Sequence, residues 1–193
     1  MANMLDSLMD QLGGGNLDTL SRSVGADKEA TRDALAAALP TILAGLAKNS
    51  ASADGAAALD NALAKDHDGG LLDDLSGFLR QGQTANGEGI LRHVFGDKQE
   101  AVETAVSKSS GIDAAKAAKL LAMAAPIIMA YLGRKRQQEQ LDPSTLGRVL
   151  KEQNQSVQKA SPQLGGLASI LDADRDGSVA DDIAAGLGKL FRR

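Results

Sequence analysis

Cysteine is absent from this sequence, and tryptophan with it. The first absence excludes disulfides and thiolate-ligated zinc or iron–sulfur sites, and is in keeping with a reducing cytoplasm, the location the sequence suggests. The second belongs to a wider shortage, because three phenylalanines and one tyrosine leave aromatics at 2% of the chain. Packing must therefore fall to the aliphatic side chains within the 43% of hydrophobic residues. Ala and Leu, the strongest helix formers, dominate that set, and residues that favour strands are few. The expected fold class is all-α.

An excess of positive charge is also missing. At a net charge of −4 the chain has no general attraction to nucleic acid or to anionic lipid. Long apolar runs are missing too. The most apolar stretch, Leu120 to Leu132, contains Pro126 and falls short of the ~20 residues that cross a bilayer. The opening MANMLDSLMDQLGGG lacks the basic start and apolar run of a secretory signal. No membrane span is expected. Catalytic signatures are equally scarce: there is no G-x-S-x-G, no H-E-x-x-H and no phosphate-binding loop, since the glycines at 13–15 lack the following lysine. The chain is expected not to be an enzyme.

What is present is a repeat. LSRSVGAD at 20–27 overlies VSKSSGID at 106–113 with an offset of 86, so that Gly25 meets Gly111 and Asp27 meets Asp113. The register continues forward through Leu35 and Leu121, Pro40 and Pro126, and Leu46 and Leu132. It continues backward through Leu8 and Val94. We therefore expect two tandem related helical units, 1–85 and 86–193, packed as a multi-helix bundle. Each begins with a short amphipathic helix (3–12 and 89–96) and a second helix (16–24 and 97–110) ended by Gly25 or Gly111, where glycine takes the left-handed conformation. Asp27 or Asp113 then caps a third, almost wholly apolar helix, the expected centre of its unit. Glu29 and Glu100 stand in first turns, favoured by the helix dipole. Pro40 and Pro126 lie inside the central helices, predicting a kink or a break there.

Two acidic segments carry the strongest chemical pattern. Asp172, Asp174 and Asp176, followed by Gly177, match the start of an EF-hand loop, in which alternate carboxylates converge on one centre and glycine makes the sharp turn. Ser178 would offer its backbone carbonyl, and Val179 would anchor the loop. The bidentate glutamate expected at position twelve is replaced by Ile183. The acids fall one and two places earlier, at Asp182 and Asp181, and Asp182 is the better placed to complete a Ca2+ shell. The alternative is an acidic turn whose last acids cap the helix marked by Ile183, Leu187, Leu190 and Phe191. A weaker copy, Asp66, Asp68, Gly70 and Asp74, aligns at an offset of 108, with Ala64 in place of Asp172. The change of offset implies an insertion in 139–164, where LDPSTLGRVLKEQ reads as an extra helix with Pro143 near its start.

The remaining candidates are fewer. Arg134, Lys135 and Arg136, with Arg192 and Arg193, form the only basic cluster. Lacking aromatic neighbours, it reads better as cations at a helix C-terminus than as a nucleic-acid surface. His67 and His93, the only two histidines, stand in unmatched contexts and read as ordinary surface residues.

The segments LSRSVGADKEATRDALAAALPTILAGLA, GILRHVFGDKQEAVETAVSKSSGID, KLLAMAAPIIMAYLGRKRQQ and ILDADRDGSVADDI together resemble the YidB-like proteins, a bacterial family of unknown function. The resemblance covers well over half of the chain. It implies an all-helical fold and no agreed activity, and it suggests that an acidic loop before the last helix recurs in longer members. The expectation is a non-enzymatic, calcium-binding structural or interaction module that self-associates or takes a helical partner. A nucleic-acid-associated protein using residues 134–136 is the alternative.

Overall fold

The structure is a computed structural model that describes residues 4–160. Among these residues the chain forms α1 (Met4–Gln11), α2 (Gly15–Val24), α3 (Lys28–Asn49), α4 (Ala53–Asp66), α5 (Leu75–Gln81), α6 (Ala85–Phe95), α7 (Gln99–Ser110), α8 (Ala114–Glu139) and α9 (Pro143–Ala160), with short 3-10 turns at Gly70–Asp74 and Gly96–Lys98. No strand occurs among the described residues. The fold is an all-α, multi-helix bundle.

The helix ends follow from local chemistry. Gly25 and Gly111 have φ of 78° and 74°, and each donates its N–H one turn back, to Ser21 and Ser107. Only two residues on, Asp27 and Asp113 accept 2.9 Å hydrogen bonds from the amides of Ala30 and Lys116. The same stop-and-restart thus occurs at both matched positions, as an αL terminator followed by a carboxylate cap. The inserted helix expected near Pro143 is α9. Asp142 accepts from the Thr145 amide at 2.9 Å and from the Ser144 and Thr145 hydroxyls at 2.7 and 3.0 Å. Pro143 takes the first helical position, where no N–H is needed. The segment expected as one helix from 97 instead starts with the 3-10 turn, because Gly96 at φ 54° ends α6 abruptly.

α3 and α8 form the centre. Every residue from Ala37 to Ala47 and from Leu120 to Ala130 is buried, so neither helix has a solvent face along that length. α3 packs on α2, α7, α8 and α9, while α8 packs on α6 and α7 as well. One apolar core runs continuously from Met4 to Leu150 and draws side chains from both sides of residue 86. The boundary expected at 85/86 falls at the first turn of α6.

Neither proline breaks its helix. A proline cannot donate to the carbonyl four residues earlier, which leaves Ala36 and Ala122 short of a helical donor. Ala36 is exposed, so water can reach that turn, whereas Ala122 is buried. There α6 comes in so close that a Cβ built on Gly87 would lie 1.6 Å from the Ala122 carbonyl oxygen. The carbonyl that Pro126 releases is covered by the backbone of a crossing helix. α8 also proves longer than the apolar stretch that marks it in the sequence. Among the described residues it is the one helix long and apolar enough to cross a membrane, and 72% of its apolar window is buried by other helices.

Candidate binding cleft

The stronger acidic loop, with Asp172, Asp174, Asp176, Ser178, Asp181 and Asp182, lies outside the described residues. The weaker one is described, and its acids are engaged locally. Asp66 is exposed at the end of α4. Asp68 accepts from the Gly70 amide at 3.0 Å, closing a tight turn. Asp74 caps α5 by accepting from the Gly77 amide at 2.9 Å. Among the described residues no three His, Cys, Asp or Glu side chains converge as cation ligands would.

The positive charge at this loop comes from α8. The Arg134 guanidinium donates to the Gly69 carbonyl at 2.7 Å and to Asp73 at 2.6 Å, and Gln137 donates to the Asp68 carbonyl at 3.0 Å. Two residues further, Arg136 forms a two-pronged pair with Asp60 of α4, the second bond at 2.9 Å. That guanidinium is held more firmly protonated by the Asp60 hydrogen bond. Lys135 pairs with Glu139. Each of the three cations considered for nucleic acid therefore faces a carboxylate of its own chain. Arg134 and Arg136 together strap the 67–74 loop and α4 onto α8, while the Lys135 pair stays within α8. The strap is tight, because a Cβ on Gly133 would meet the His67 carbonyl oxygen at 1.7 Å.

Fixing α4 in this way opens a cleft of about 840 Å3 between α4 and α6. Its floor is apolar, made by Leu46 of α3, Met129 of α8, Leu59 of α4 and Val94 of α6, all buried. Its α4 wall presents Gly55, Ala58 and Ala62, one helical face of small residues, and Gly89 and Ile90 stand on the α6 side. The far end is held by Asn49, whose amide donates to the His93 and Val94 carbonyls at 3.2 and 3.3 Å. His67, His93, Lys65, Asp66 and Asn86 mark the polar margin. Burial pushes the His67 imidazole below its usual range, with neighbouring Asp66 pulling the other way. Apolar floors with a few polar groups at the edge, in volumes of roughly 300–1,000 Å3, are typical of binding sites.

Sequence reasoning did not find this cleft. Read residue by residue, its two histidines stand far apart in the chain, one just past α4 and one on α6, and its small residues resemble ordinary packing positions. The available signal was the spacing of Gly55, Ala58 and Ala62 along α4.

No curated protein and no solved structure matches the chain. A family model does, over residues 6–135, which takes in α1 to most of α8 and stops before α9 and the acidic segment 172–182. With a match of that extent, on a fold that is helical throughout its described length, the chain belongs to the family described as bacterial protein of unknown function (DUF937).

Proposed function

We propose that the chain is a non-enzymatic binding module that seats an amphipathic helix in the α4–α6 cleft. The observation that carries this is the form of the cleft: two helical walls with small side chains over a buried aliphatic floor. Small residues allow a third helix to come close, and the helix-in-groove mode needs apolar anchors at i, i+3, i+4 and i+7 over such a floor. The described lining holds no Ser, Thr, Cys or Tyr to act as a nucleophile. The test is calorimetric titration with a synthetic peptide of about 18 residues carrying Leu at helical spacing among Ala, Lys and Glu. Wild type is expected to bind one peptide, with a gain of helical circular dichroism. Ala62→Arg should melt normally and bind at least tenfold more weakly. Equal binding by both proteins, or none by wild type at millimolar peptide, would defeat the proposal.

A second reading is favoured by the D-x-D-x-D-G spacing. Asp172, Asp174, Asp176, Ser178 and Asp182 take Ca2+ and make this a calcium-responsive structural protein. Millimolar Ca2+ should then raise the melting temperature of wild type by ligand linkage and leave the Asp174→Ala/Asp176→Ala variant unmoved. Identical shifts in the two would remove the reading.

A further inference from the structure

The sequence itself contains a segment fitted to this cleft. Ile183, Leu187, Leu190 and Phe191 recur at helical spacing. These residues fall beyond the family match, which ends at residue 135. Resting on the helix-binding reading above, we propose that residues 183–191 of the same molecule occupy the α4–α6 cleft and must be displaced by any partner. The cleft is then autoinhibited.

Reach is no obstacle. α9 packs along α3 and α4, and α4 is itself one wall of the cleft, so the chain leaves Ala160 on an element adjoining its target. Even a dozen extended residues span roughly 40 Å. That is several times the ~10 Å diameter of the helix they must pass around, and more residues than that separate Ala160 from Ile183. Tethering does the rest. A covalent link within one chain raises the effective concentration of the segment at the cleft toward millimolar, so the cleft is filled in cis ahead of a free helix. The chemistry agrees as well: four large aliphatic or aromatic side chains answer the buried floor of Leu46, Leu59, Val94 and Met129. The small side chains of Ala58 and Ala62 on the α4 wall leave room for a backbone beside them.

The absence of native cysteine makes the test clean. The full chain carrying Ala62→Cys with Leu187→Cys is oxidised with glutathione disulfide. The control pairs Leu187→Cys with Ala36→Cys, an exposed position outside the cleft lining. The cleft pair should close within one molecule at least tenfold faster than the control. A second arm uses Leu187→Asp/Leu190→Asp, which should bind the amphipathic peptide at least tenfold more tightly than wild type. Equal closure rates, covalent dimers in place of monomers, or unchanged peptide affinity would overturn autoinhibition. In that event peptide binding by wild type, with its loss in Ala62→Arg, still decides the helix-binding reading separately.

Discussion

Two glycines on α6, two residues apart, show how sharply this fold discriminates between positions. Gly87 lies at the crossing with α8, where an added Cβ would penetrate the Ala122 carbonyl, whereas a Cβ at Gly89 would meet nothing within 4 Å. Composition and propensity treat the two alike, and packing does not. Gly87→Ala forces two helices apart at their closest point, an overpacking cost of about 1–3 kcal/mol or more. Gly89→Ala replaces the poorest ordinary helix former with the best at an open site and should gain about 0.5–1 kcal/mol. Urea denaturation of the two variants checks this. A Gly87→Ala variant as stable as wild type would mean that α6 does not cross α8 as described. The proline one turn further along α8 belongs to the same contact. By withholding a donor from Ala122, Pro126 leaves a carbonyl that only a very close neighbour can shield.

At the scale of elements, what was legible in the sequence is what depends on near neighbours. The stop at Gly25 and Gly111, the caps at Asp27 and Asp113, and the start of α9 at Asp142 and Pro143 all use bonds spanning a few residues. The residue types alone specify them. The acidic segment 66–74 shows where such reading stops. Its carboxylates have the spacing of ligands, but Asp68 and Asp74 accept from amides two and three residues away, and Asp73 meets a guanidinium 61 residues along the chain. Aspartate is equally the residue of choice for a cation loop and for a cap. The deciding fact is where backbone donors and Arg134 come to rest, and that is tertiary. The cleft was illegible for a similar reason. A row of Gly55, Ala58 and Ala62 marks a tight helix contact as readily as an open wall, and the difference lies in the Arg134 and Arg136 strap that seats α4 on α8.

For the whole molecule these local arrangements add up to a pH profile whose sign can be worked out. His67 sits half-buried at the end of α4, its imidazole pushed below the usual 6.5 chiefly by burial, against the pull of Asp66. The unfolded chain therefore takes up this proton at a higher pH than the folded one, and stability falls as pH drops through 6.5. Asp142 contributes in a lower window. Hydrogen bonds from the Ser144 hydroxyl and then from Thr145 pull its carboxyl down to about 2. The unfolded chain accepts that proton near 3.8, so the stabilisation is complete above this value and is lost as pH falls toward 2. Asp113 acts in the same sense, its carboxyl lowered mainly by the Lys116 amide. The urea midpoint should be level above pH 7, decline first near 6.5 and decline again below 4. His67→Gln should flatten the first decline and leave the second, because it removes the half-buried imidazole while the α4 strap stays intact. Asp142→Asn should blunt the second without touching the first. A first decline of unchanged size in His67→Gln would mean that the margin of the cleft carries no proton-linked strain.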